Sequence, residues 1–309
     1  MSQETSGFDT LVRSDPDGFY LPAGSVWMRA VQALQREMLA VLDRTAREAD
    51  IQYCLIFGTL LGARRHGGFI PWDDDIDVGV LRRDYERLLA ALRRDLDPEL
   101  YLVEDAGEDL SVPRPYAKIR CRHTRFQEFG LPPRSETPAD GKDGIFLDIF
   151  PLDNVPRGKW GQRRQLLRFL LTHFPRRVRF EGYRSERRLL QLVYERLARR
   201  SPGRLWSDCL RAMTACRDEE SELVIAFPSA RADLTSSYLR RRGLMPSRDL
   251  EFAGLTVQGP ADVEGQLESL FGAWQELPSQ ASRRGHRLRC LLIDTRVWAA
   301  VLGPDILTP

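Results

Sequence analysis

Apolar residues recur at helical spacing through Val26, Ala30, Leu34, Met38 and Val41, with Ser25 just ahead of them. That spacing predicts an amphipathic helix over residues 25–50, capped by the Ser25 hydroxyl. The pattern then changes. Ile51-Gln52-Tyr53-Cys54-Leu55-Ile56-Phe57 is a short apolar run that reads as a buried strand, and it ends in Gly58-Thr59-Leu60-Leu61-Gly62. Helical periodicity returns over 83–96, with Tyr85, Leu88, Leu89 and Leu92 on one face. Residues 101–103 and 116–122 read as strands, and 129–143 as an irregular loop rich in Pro, Gly and charge. Residues 144–153 form an apolar strand with one internal acid, Asp148. A helical, Arg-rich stretch spans 160–200. Late strands are predicted at 223–227 and 255–257, and a helix over 261–271. The order of elements predicts an α/β fold with a mixed sheet flanked by helices.

One stretch is chemically unusual. Trp72-Asp73-Asp74-Asp75-Ile76-Asp77-Val78 packs four carboxylates into five positions. Read as a strand, it places Asp73, Asp75 and Asp77 on one face and Asp74, Ile76 and Val78 on the other. Three acids on one face repel each other unless a cation lies between them, and clustered oxygens suit a hard divalent ion such as magnesium. An acidic run is equally at home in a solvated turn, so its surroundings decide. Upstream, Gly58 follows a strand and permits close backbone approach. Thr59 is expected to open a helix whose free amides face a phosphate. The His66-Gly67-Gly68-Phe69 turn then leads into the acidic run, so both features fall on neighbouring strands. Asp148 supplies a third carboxylate, costly to bury in its apolar strand unless paired or metal-bound. A Gly-Thr turn followed by Asp-x-Asp and a third acid is the nucleotidyltransferase pattern.

The segment from Phe57 to Gly79 resembles the signature of the LicD family, which includes fukutin and the fukutin-related protein. Phe146-Leu147-Asp148-Ile149-Phe150-Pro151-Leu152-Asp153 is similar to its second block, and Lys118-Ile119-Arg120 to its basic strand. Towards the C-terminus His286 follows the closing segment loosely. Phe271-Gly272-Ala273 stands where the family shows a Tyr-Gly-Asp-like triplet. The resemblance implies a metal-dependent phosphotransferase. It would move a substituted phosphate, phosphocholine by default, from a CDP-activated alcohol donor to a hydroxyl of a cell-surface glycan or glycolipid precursor. Asp75, Asp77 and Asp148 would hold Mg2+ or Mn2+. Gly58, Thr59, Arg65, His66, Arg120 and His286 would bind substrate, and Lys118 or Arg120 would neutralise the leaving group. Asp148 is the expected general base. Asp73 and Asp74 would shape the strand and hydrogen-bond waters. Transfer of a nucleoside monophosphate to a small molecule or protein, or a non-catalytic glycan- or nucleotide-binding role, are the alternatives.

Composition adds bounds. Net charge is +2, which favours no particular partner, and lysine occurs only at 118, 142 and 159. Five scattered cysteines with no Cys-x-x-Cys motif favour a reducing compartment and no structural zinc. The N-terminus lacks the features of a signal peptide, and no stretch approaches the ~20 apolar residues of a membrane helix. A cytoplasmic protein is expected. The Arg-rich helices read as a solvated face or as a patch for anionic glycan or nucleotide phosphates. Basic and aromatic residues do not interleave as nucleic-acid platforms require, so no nucleic acid is expected, and a peripheral membrane contact stays open. The expected organisation is an extended arm over 1–24, a catalytic core over 25–156, and a mainly helical, Arg-rich region over 157–309 that completes the substrate site.

Overall fold

A computed structural model describes residues 10–218, 221–227 and 238–306 of the chain. The first helix, α1 (Val26–Glu48), begins where expected, with the Ser25 hydroxyl accepting from the Met28 amide at 3.2 Å. It buries Met28, Val31, Leu34, Met38, Leu39 and Leu42 in the main core. Each such side chain contributes roughly 1.5–3 kcal/mol of burial.

The central sheet begins with β2 (Tyr53–Leu55) and β3 (Asp77–Leu81), which pair antiparallel. Between them runs α2 (Phe57–His66). α3 (Arg82–Asp95) follows β3, and then come β4 (Tyr101–Glu104) and β5 (Ala117–Cys121). The middle strand is β7 (Phe146–Asn154), buried at every position but its last. That continuous burial explains why apolar residues occupy both faces of the strand around Asp148, because both faces are covered. β7 pairs parallel with β3 on one side and antiparallel with β5 on the other, and β4 continues beyond β5. In its second half β7 also pairs with β8 (Leu223–Ala226), which carries β9 (Tyr238–Arg240). The result is a seven-stranded mixed sheet flanked by helices.

A second sheet joins the two ends of the chain. β1 (Thr10–Phe19) pairs antiparallel with β12 (Leu288–Asp294), and β12 with β6 (Thr124–Glu128). The expected arm over 1–24 is therefore a strand from residue 10, and residues 1–9 lie outside the described residues. Its polar composition hid it, because β1 is held more by ladder hydrogen bonds than by buried side chains; only Phe19 is buried. Between β7 and β8 lie three helices, α4 (Lys159–Glu181), α5 (Arg188–Ala198) and α6 (Pro202–Met213). The chain then runs through α7 (Arg241–Leu244), the hairpin β10 (Arg248–Phe252) and β11 (Leu255–Gly259), and α8 (Val263–Phe271). It closes with α9 (Thr295–Ile306) after β12. Among the described residues the region after 157 thus combines helices with five strands, and two of these, β8 and β12, pair with elements of the first half. No helix among the described residues is long and apolar enough to cross a membrane.

Candidate active site

Strand register assembles the site. Asp77 of β3 stands opposite Asp148 of β7, and Asp148 stands opposite Lys118 of β5. Three adjacent strands thus place acid, acid and base in one row on one face of the sheet. Lys118 Nζ lies 2.5 Å from Asp148 Oδ1 and 3.3 Å from the centre of the Phe146 ring. Both partners are almost fully buried. Burial pushes the Lys118 ammonium down to about 8, although Asp148 opposes the shift.

The acidic run differs from expectation in one respect. Only Asp77 belongs to the strand; residues 73–76 form an extended loop ahead of it. The carbonyls of the loop's first two residues are tied to α1, with Gln32 Nε2 donating to Asp73 O at 2.9 Å and Gln35 Nε2 to Asp74 O at 2.6 Å, whereas Ile76 O already accepts from the Asp148 amide of β7 at 2.8 Å. The predicted alternation survives. Asp74, Ile76 and Val78 are buried, while Asp73, Asp75 and Asp77 keep partial exposure.

Asp74 has a function that the sequence reading missed. Its carboxylate is completely buried and accepts from the His286 amide at 3.0 and 3.1 Å, with the His286 Nδ1 at 2.7 Å. A Cβ at Gly285 would lie 2.5 Å from Asp74 Oδ2, so only glycine allows this approach. The imidazole edge then comes to 4.0 Å from Asp75, between the rings of Phe126 and Phe146. Burial works against protonation of His286, but Asp74, Asp75 and Glu128 outweigh it and raise the imidazolium to about 10. Asp74 therefore positions His286.

The glycine turn also departs from expectation. α2 starts at Phe57, which takes a left-handed φ of 48°, two residues before the threonine expected to open it. The Thr59 hydroxyl is buried and accepts from the Asp77 amide at 2.8 Å, so it fixes the start of β3. A Cβ at Gly58 would stand 2.9 Å from Asp73 Oδ2. A carboxylate thus already rests on the first turn of α2, where the helix dipole favours negative charge.

Three further candidate substrate-binding side chains already have partners within the chain. Arg120 lies on the same face of β5 as Lys118, yet it donates to Glu104 at 2.9 Å and to Gly144 O at 2.9 Å. Glu104 also receives Arg134, and its carboxyl, despite a burial that acts the other way, is held down at about 2 by Arg120, Arg134 and Arg114. Arg65 binds the carbonyls of Trp274 and Glu276. His66 is exposed, accepts from Arg65 Nε at 3.0 Å and packs edge-on against Trp72. Arg65, His66 and Arg120 consequently bind the fold together at the border of the site. Glu128 of β6, unremarkable in sequence, proves to be a site neighbour whose charge acts on both His286 and Lys118.

The remaining acids are under-compensated. The carboxyls of Asp73, Asp75 and Asp77 are all raised above the usual range. Burial is the largest cause in each case. Repulsion follows: Asp75 and Asp74 act on Asp73, and Asp75 and Asp148 act on Asp77. For Asp75, His286 opposes the rise while Asp74 and Asp148 add to it. Crowded oxygen ligands with unmatched charge are the donor set that suits a hard divalent cation. Among the described residues no three such side chains already converge on one ion-sized point. Asp148 is turned to Lys118, and would have to exchange that ammonium for the ion.

Residues 50–126 match the family model described as LicD/FKTN/FKRP, nucleotidyltransferase domain. The chain is 26% identical over 275 residues to the lipopolysaccharide cholinephosphotransferase LicD of Haemophilus influenzae, covering 85% of this chain and 96% of that protein. It is 36% identical over 84 residues to the human ribitol 5-phosphate transferase FKRP, covering 26% of this chain but only 16% of that one. A similar partial match, 28% over 131 residues, links it to the ribitol-5-phosphate transferase FKTN of Macaca fascicularis, covering 42% of this chain and 23% of that protein. Glycine turn, acidic loop and basic strand all fall inside the matched segment, which is similar to the LicD/FKTN/FKRP nucleotidyltransferase domain.

Proposed function

We propose that the protein transfers a substituted phosphate from a CDP-activated alcohol to a hydroxyl of a glycan or glycolipid precursor, with phosphocholine as the first group to test. The observation that carries this reading is the row Asp77, Asp148 and Lys118 across three strands, with Asp75 and an imidazolium beside it. Similarity to a lipopolysaccharide cholinephosphotransferase along most of the chain supports the class of substrate.

Asp75, Asp77 and Asp148 would hold a magnesium or manganese ion, which when bound polarises a phosphoryl oxygen and steadies the leaving phosphate. The chain's own residues divide the rest. Lys118, freed from Asp148, offers a buried ammonium to charge developing on the leaving group. A carboxylate of the row, Asp148 first, takes the proton of the acceptor hydroxyl once it no longer faces Lys118. His286, held by Asp74, adds positive charge at the rim of the acids. Asp73 and Thr59 hold the loop and strand that present Asp75 and Asp77.

The test is product identity. The protein is incubated with magnesium and a panel of CDP-alcohols and nucleoside triphosphates, with a lipopolysaccharide-type glycan as acceptor. Release of CMP with gain of a phosphoalcohol on the glycan is expected. Release of pyrophosphate with gain of a nucleotide would replace this reading by nucleotidyl transfer.

A further inference from the structure

Charge is segregated along this chain. Residues 157–213 contain sixteen basic and four acidic side chains, a net charge of +12 in a protein whose total is +2. They make up α4, α5 and α6. Arg163, Arg164, Arg168, Arg187, Arg188 and Arg196 are exposed, and none has an acidic partner among the described residues.

Apolar side chains share this surface. Of the nine large hydrophobic residues exposed among the described residues, five lie on α4 and α5. Trp160 is 83% exposed, Leu189 80%, Leu192 63%, Leu167 56% and Val193 42%. Leu189, Leu192 and Val193 follow helical spacing and form one stripe of α5, while Tyr194 and Ala198 on the opposite side are buried. Arg196 falls along the same stripe, so its stem can lie over the leucines with the guanidinium group outermost. On α4, Trp160, Leu167 and the flanking Arg163 and Arg164 repeat the arrangement, with Arg163 over the Trp160 ring at 5.9 Å.

We infer that the exposed face of α4 and α5 docks onto a lipid bilayer that contains anionic phospholipid. A helix with leucines on one stripe and arginines beside them matches the interfacial zone of a membrane, where indole and guanidinium groups reside at headgroup level. Charge complementarity decides among occupants. A second copy of the same face would set two strongly positive surfaces against each other. A nucleic acid would satisfy the arginines but leave the leucines without a partner. The anionic bilayer satisfies both. The C-terminal end of α4 reaches the border of the site, where Phe180 and Glu181 line a small cavity with Arg114, Arg120 and Glu128. The inference concerns binding alone and does not depend on which group is transferred.

The test is co-sedimentation of the full chain with vesicles of phosphatidylcholine alone and of phosphatidylcholine mixed with phosphatidylglycerol. Binding to the mixed vesicles, weakened by salt and absent from the neutral ones, is expected. Leu189→Ser with Leu192→Ser, and separately Arg187→Gln with Arg188→Gln, each weaken binding about tenfold or more. Melting curves should be unchanged, because these positions are exposed. Equal binding to both vesicles, or none, overturns the inference. So does a serine variant that binds like wild type while the protein retains duplex DNA, or a concentration-dependent dimer that the serine substitutions dissolve. A chain with intact binding and no transfer activity would leave the docking face standing and count only against the proposed reaction.

Discussion

Lys118 and Arg120 are two residues apart on the same face of β5, and their surroundings are opposite in kind. Arg120 belongs to a closed set. Glu104 meets Arg120 and Arg134, the spare guanidinium donors find Gly144 O, and the carboxyl is stabilised in its charged form. Lys118 belongs to an open set. It faces one carboxylate, Asp148, while Asp75 and Asp77 nearby remain short of positive charge and hold their protons more tightly than free acids. A buried ion cluster that balances itself has nothing left to offer a ligand and serves the fold. One that leaves anions unmatched has kept capacity for a cation or a cationic transition state.

The largest effect should come from the open set. Asp77→Asn is expected to lower transfer about a thousandfold, since it removes a group that acts on the reacting phosphate. The folded state should not suffer, because the substitution also relieves repulsion, so activity and melting temperature part company. Glu104→Gln should do the reverse. It strands Arg120 and Arg134 and costs about 3–5 kcal/mol of stability in chemical denaturation. Its pH signature is distinct. Because the folded carboxyl sits near about 2, below its ordinary value, Glu104 contributes about 3 kcal/mol at neutral pH. That contribution is complete above the unfolded value and is lost as pH falls from about 4.5 towards 2, a loss that Glu104→Gln should abolish.

Lys118→Met is expected to reduce kcat about a hundredfold with little change in KM, if the ammonium acts on the leaving group. An effect confined to KM would make it a binding residue instead. At the small end, Arg65→Ala should cost about 1 kcal/mol or less, since its two carbonyl contacts are partly exposed. A large loss of turnover there would return Arg65 to the substrate site.

Local chemistry was legible in the sequence where it depended on neighbours in the chain. Alternation along residues 73–78 gave the correct faces although most of the run is loop, because extended backbone alternates whether or not it has a paired neighbour. The apolar run around Asp148 gave the buried central strand. Contacts between distant segments were not legible. Spacing placed Arg120 beside Lys118, but nothing in β5 reveals that Glu104 of β4 and Arg134 of the following loop would claim it. Likewise Asp74 looked like one of four equal acids until Gly285 and His286 arrived from the far end of the chain. The sheet of β1, β12 and β6 was missed for a similar reason, as β1 and β6 are largely polar and the three strands come from separate regions.

Whether Asp75 and Asp77 are left unmatched for a divalent cation can be read from thermal unfolding in a magnesium or manganese titration. The ion is expected to raise the melting temperature of the wild-type chain by several degrees. Asp77→Asn is expected to melt at or above the wild type without ion and to gain nothing when ion is added. Equal gains in the two proteins, or no gain in either, would rule out these carboxylates as the cation site.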